Sequence, residues 1–210
     1  MALDFPDAAA RLVRIGQRFD GRGWVLGTSG NFSIVVDEEP VRLAITRSGT
    51  HKGELTPGDI LEVGEDGTSV GSSVGVPSAE TRLHLEIIAA RPVSAVLHTH
   101  SIWSTLLSDR LAPRGGVEIK GYEMLKGLAG VTTHEHREWI PILDNDQDMV
   151  RLGSKVAATL REHPACHAFL LRRHGMYTWG ATVPEAIRHV EIVEFLLESI
   201  GRKEAAAWRS

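Results

Sequence analysis

The chain has a single cysteine, Cys166, in 210 residues. No internal disulfide can form, which fits a reducing compartment and predicts a cytoplasmic protein. No apolar run approaches the roughly 18 residues needed to cross a bilayer. The opening residues MALDFPDAAARLVRIG place Asp4 and Asp7 before the first arginine and hold no compact apolar stretch, so they do not read as a secretory signal. An excess of positive charge is also missing. Lys and Arg number 23 against 27 Asp and Glu, giving a net charge of -4 and a pI near 6.2. Such a balance gives no electrostatic reason to expect nucleic acid or an anionic membrane as a partner. Neither GxGxxG nor GxxxxGK[ST] opens a helix, so nucleotide binding has no support. Without repeats, low-complexity tracts or linkers, residues 1–210 read as one domain.

Against these absences, 42% of residues are hydrophobic and 24% charged, enough for a sizeable core. Hydrophobic spacing predicts a helix from about Pro6 to Phe19, with Ala9, Leu12, Val13, Ile15 and Gly16 facing inward. Gly27 to Asn31 is turn chemistry. It leads to a strand over Phe32 to Val36, and Asp37 to Pro40 turns the chain back into a second strand, Val41 to Thr46. A short strand follows through Ile60, Leu61 and Val63. Ser78 is placed as the N-cap of a helix that Arg91-Pro92 ends. Val93 to Leu97 reads as a strand, Ile102 to Leu107 as a helix, and Trp139 to Leu143 as an edge strand because Pro141 lacks a donor. A helix over Asp146 to Glu162 and strands over His167 to Arg173 and Met176 to Trp179 come next. The last helix opens at Val183-Pro184. Hairpins mixed with strand–helix–strand units predict a three-layer α/β fold, a mixed and largely antiparallel central sheet with helices on both faces.

Ten histidines are present, and their spacing has to separate chemistry from surface decoration. His98 and His100 are i and i+2 at the end of an apolar strand, so both imidazoles point to one face. Two neutral imidazoles suit Zn²⁺ and similar divalent ions. A His-x-His pair on its own fits equally well two exposed histidines at a strand end. The rival pair, His134 and His136, stands in a polar stretch that reads as a solvated loop. His174 is the best candidate for a third ligand, because it ends the buried run Ala168 to Arg173 and precedes Gly175, which allows a tight turn. Three protein ligands with an open position describe a catalytic site. His84 and His189 inside helices, and His51, His163 and His167, read as satisfied or surface histidines.

Thr28-Ser29-Gly30-Asn31-Phe32-Ser33, Pro77-Ser78-Ala79-Glu80, His98-Thr99-His100 and Arg173-His174-Gly175 together resemble the class II aldolase/adducin-like superfamily. Gly121-Tyr122-Glu123-Met124-Leu125-Lys126-Gly127 and Arg172 to Gly180 are similar to its methylthioribulose-1-phosphate dehydratase family. The match covers roughly residues 8 to 200. This resemblance implies a class II aldolase-like fold and Zn²⁺ on His98, His100 and His174. It implies loss of water from a small phosphorylated sugar, 5-methylthioribulose 1-phosphate, in methionine salvage, with Glu123 as general acid/base. It also implies a homotetramer with sites at subunit boundaries. Glu80 matches the proton shuttle of the sugar-phosphate aldolases, and here stands as second base, metal-site neighbour, substrate contact or first-turn helix acid. Asn31, Ser48, Gly49 and Ser78 match phosphate-cradling loops built of neutral donors, with Lys126 placed to add charge. Where the aldolases carry a second serine this chain has Ala79, so one hydroxyl contact is missing. An aldolase or pentose-phosphate 4-epimerase using Glu80 is the alternative, and a non-catalytic adducin-like module the third reading.

Overall fold

The first helix, α1 (Phe5–Asp20), forms where the spacing predicts it: Asp4 caps it by accepting from the Asp7 N–H, and Ala8, Leu12, Ile15 and Phe19 make its buried stripe. The computed structural model describes residues 3–71 and 75–207. The strands β1 (Asn31–Glu38), β2 (Val41–Thr46) and β3 (Ile60–Gly64) form an antiparallel meander, and α2 (Thr81–Ala90) leads to β4 (Ala95–Thr99). The helix α3 (Ile102–Leu111), strands β5 (Gly116–Lys120) and β6 (Arg137–Leu143), and helix α4 (Met149–Glu162) follow. The chain then runs through β7 (Ala168–Leu171) and β8 (Gly175–Gly180) to the long helix α5 (Val183–Ala207).

One eight-stranded sheet has the order β3-β2-β1-β4-β8-β7-β6-β5, antiparallel throughout except for β6 beside β7. One core packs α1, α3 and α5 on one face, around Leu12, Leu107 and Val193. A second core packs α2 and α4 on the other, around Leu83, Ile87 and Leu152. The expected mixed sheet between two helical layers is what forms.

Three local expectations are corrected. Strand β5 was not anticipated, and it, not β6, is the sheet edge. Pro141 is tolerated inside the sheet because Ile142 donates toward β5, to the Gly115 carbonyl, so the missing N–H of Pro141 falls on the β7 side, where parallel pairing starts only at Ile142. Helix α2 is capped at Glu80 rather than Ser78, whose hydroxyl instead accepts from the Glu80 N–H. Both ends of the sheet matter for function. His98 and Thr99 at the C-terminal end of β4 pair with Tyr177 and Met176 at the start of β8, and β7 also ends there. Because β5 runs against β6, its last residue, Lys120, pairs with Arg137 at the opposite end.

Candidate metal centre

His98 lies at the end of a fully buried strand, and His100 just beyond it is fixed by its N–H donating to the Trp24 carbonyl. His174 follows the turn after β7, where Arg173 rather than Gly175 takes the left-handed conformation, with φ 56°. Gly175 is needed for a different reason. A Cβ there would collide with the Thr99 carbonyl and stand 3.0 Å from the His98 ring and 3.1 Å from that of His100. The absent side chain is what lets the three rings close up, with centroid separations of 4.5, 5.0 and 4.5 Å.

The tautomer of His98 is set by its surroundings. Its ring stacks on Tyr177, and Nδ1 donates to the Met176 carbonyl at 2.9 Å, which leaves Nε2 as a lone pair 2.7 Å from Nε2 of His100. Burial first, then the neighbouring imidazoles, holds His98 well below the usual histidine range. Burial, His174 and Lys52 bring His100 down to about 4. Burial also lowers His174, opposed by Glu80. Three neutral imidazoles result, with one ligand atom each within 4.8 Å of the others. The free lone pair of His98 faces the other two rings, and neutral nitrogen donors gathered in this way are what Zn²⁺-class ions take. The residues present fit a divalent metal.

Glu80 completes this end. Its Oε1 is 3.2 Å from Nε2 of His174, and Oε2 is 3.7 Å from Nε2 of His98. Asn31 holds the carboxylate, donating from Nδ2 to Oε2 at 2.6 Å. Behind it, the wholly buried His84 bridges the Asn31 carbonyl oxygen and the Ser33 hydroxyl, and burial drives its pKa down to about 3, so it stays neutral. A cavity beside the histidines is lined by Asn31, Ser48, Gly49 and Ser78, all four of the expected phosphate contacts, together with Lys52 and Ser29, which spacing did not single out. Short-range pattern offers no signal for Lys52.

Glu123 and Lys126 are elsewhere. They sit on a 3-10 turn at the far end of the sheet, after Lys120, and pair with each other at 2.7 Å. Glu123 is exposed, with His134 as its other neighbour, and Lys126 holds its carboxyl below the usual range. Within one chain neither residue is brought to the histidines. His136 binds Glu138 at 2.9 Å, so the rival pair His134 and His136 does not converge.

The chain matches the class II aldolase and adducin N-terminal domain family over residues 10–200. It is 46% identical over 196 residues, 93% of each chain, to a protein of Methylococcus capsulatus named methylthioribulose-1-phosphate dehydratase. A protein of the same name from Pseudomonas fluorescens is 44% identical over 199 residues, 94% of each chain. The crystal structure of L-fuculose-1-phosphate aldolase from Thermus thermophilus superposes with a TM-score of 0.75 at 23% identity, covering 96% of this chain and 98% of that one, a likeness of fold. By the extent of the match, the chain belongs to the class II aldolase and adducin N-terminal domain family.

Proposed function

We propose that the chain is a zinc-dependent hydro-lyase that removes water from 5-methylthioribulose 1-phosphate, giving 5-methylthio-2,3-dioxopentyl 1-phosphate. The observation that carries this is the convergence of three neutral imidazoles beside a carboxylate and an anion-sized cavity, in a chain 44% identical to a protein of that name over almost its whole length. A bound Zn²⁺ supplies a Lewis acid for the C2 carbonyl and the adjoining hydroxyl.

The protein's own groups handle the protons. In this reading Glu80, held by Asn31 with His84 behind it, takes the C3 proton. The C4 hydroxyl leaves as water once protonated, and C4 regains a proton as the second carbonyl forms, so the sum is loss of one water. Glu123 is the acid for the leaving hydroxyl. It stands exposed on a turn at the opposite end of the sheet from the histidines of its own chain, so in this reading a second copy of the chain presents it. This supports the homotetramer reading with shared sites.

The test is turnover: metal-replete protein and methylthioribulose phosphate should yield the diketone, followed by carbon NMR of its two carbonyls. No product from a zinc-replete sample sinks the assignment. A second reading, aldolase or epimerase chemistry, is favoured by one observation, that Glu80 and not Glu123 lies on the histidines of the same chain. Activity that survives Glu123→Gln but not Glu80→Gln would select it.

A further inference from the structure

Lys52 is a buried cation without an anion. Its side chain is 1% exposed, and Nζ donates to two neutral carbonyls, Thr50 at 2.7 Å and Thr28 at 3.1 Å. An ammonium carries three protons, so one is left over. Among the described residues no carboxylate lies within ion-pair distance of it, and Glu80, the acid that influences it electrostatically, is bonded to Asn31 instead. Two carbonyls do not neutralise a charge, and buried charges are ordinarily paired. Burial accordingly pulls the Lys52 pKa down to about 8, with Glu80 opposing.

A second orphan shares the same cavity. The Ser29 hydroxyl is buried and, among the described residues, has no hydrogen-bond partner. The loops that carry these groups turn through left-handed glycines, Gly30 at φ 73° and Gly49 at φ 72°, which brings the 28–31 and 48–52 segments face to face. The cavity is about 190 Å³, below the range that takes a whole ligand, and so suited to one compact group of a larger molecule.

We propose that Lys52 and Ser29 form the charged floor of the phosphate subsite, donating to the phosphate monoester of the sugar substrate. This rests on the hydro-lyase reading for the identity of that substrate, but not for the presence of an anion. It adds a cation from the same chain to the neutral donors of the cradle, whereas Lys126, paired with Glu123 at the other end of the sheet, reaches the cradle only where a second copy presents that turn. Lys52 thereby ties phosphate binding to the site where Glu80 works, a few side chains away.

Inorganic phosphate is the probe, titrated by calorimetry into the metal-loaded protein at pH 7. Lys52→Met should weaken binding roughly 10- to 100-fold, as expected for a lost charge-assisted bond. Ser29→Ala should weaken it by a few-fold, and Lys155→Met, a surface control, not at all. With methylthioribulose phosphate, Lys52→Met should raise KM far more than it lowers kcat, whereas a lysine that merely tied two loops together would damage both. Should Lys52→Met fail to fold, the wild-type protein still decides the matter: in a ¹⁵N-labelled sample the Lys52 ammonium resonance should shift and saturate with phosphate. Undiminished phosphate affinity in Lys52→Met, or an unmoved Lys52 resonance, overturns the proposal. Turnover with Lys52-independent phosphate binding would leave the hydro-lyase reading standing and this one fallen. Lys52-dependent binding without turnover would do the reverse.

Discussion

Histidines gather at both ends of the sheet, and the two clusters do opposite things with the same side chain. At the β4–β8 end, His98, His100 and His174 turn ring nitrogens toward one another, and burial keeps all three neutral. At the other end, the carboxylate of Glu138, 1% exposed, is bracketed by Nε2 of His136 at 2.9 Å and Nδ1 of His167 at 3.0 Å. Nε2 of His167 reaches the Ala129 carbonyl at 2.8 Å, and Nε2 of His189 accepts from the Ala129 N–H at 3.0 Å. Both nitrogens of His167 thus face acceptors, which only an imidazolium satisfies. One cluster is left with lone pairs for a cation from outside, and the other has a proton and a carboxylate already in place. What surrounds an imidazole, rather than how many there are, decides whether it is a ligand or a strut.

The sharpest way to break this contrast is to delete one histidine from each end. His98→Ala should take the metal content from about one per chain to near none. Activity should fall at least roughly 100-fold, beyond what losing a partner behind a ligand costs. His167→Gln should keep the metal. Elemental analysis of the two purified variants checks this, and equal metal loss from both would erase the distinction between ligand and strut.

A change at the other end should appear as stability. Glu138→Ala strands the His167 imidazolium and the His167 N–H, which also donates to that carboxylate. Breaking a buried pair in this way costs about 3 kcal/mol, or about 6–12 °C in Tm for a chain of this size. Calorimetry should find that loss with metal content unchanged. A shift below 2 °C would mean the pair contributes little.

Mixing joins the two ends. If a working site takes its histidines from one copy and Glu123 from another, His98→Ala and Glu123→Gln chains are each inactive but complementary. Random reassembly should restore about a quarter of wild-type activity. No recovery after co-refolding would confine each site to one chain.

How much of this was legible depended on range. The stripe of α1 and the strand leading into His98 are local patterns, and each formed within a few residues of its expected bounds. Strand β5 was missed because Gly116-Val117-Glu118-Ile119-Lys120 gives only one short alternation after a turn, and Pro141 misled because which way a missing N–H points depends on a neighbouring strand. At the site, His98 and His100 are adjacent in sequence and could be paired. Asn31 is 49 residues from Glu80 and 53 from His84, and Lys52 is 28 from Glu80, so these groups come together only through the fold. The family resemblance supplied Glu80 and Glu123 as residues. That one lies on the histidines and the other across the sheet is a fact of strand direction, which no motif encodes.

The smallest effect expected is a pH dependence whose sign differs between the ends. Burial lowers the His167 pKa, but the hydrogen bond and charge of Glu138, with the Ala129 carbonyl, outweigh it, and the net shift is upward. A raised histidine contributes stability fully present below its unfolded value of about 6.5, and lost as pH climbs through the higher folded value. Glu138 is lowered, burial being overcome by His167 and His136, so its share is present above its unfolded value of about 4.5 and is lost as pH falls through the lower folded one. His136, His189, Glu185 and Cys166 are other titratable groups around the pair. The histidines of the metal end are lowered instead, so their share weakens as pH falls below about 6.5, where unfolded imidazoles gain protons that the folded ones refuse. Melting curves of the wild type and His167→Gln between pH 6 and 9 separate the two. The gap in Tm should be widest at the acid side and narrow as pH rises, while both proteins share the acid decline set by the other end. A gap that widens toward pH 9 would mean that His167 is neutral in the folded chain and that the contrast between the clusters lies in geometry alone.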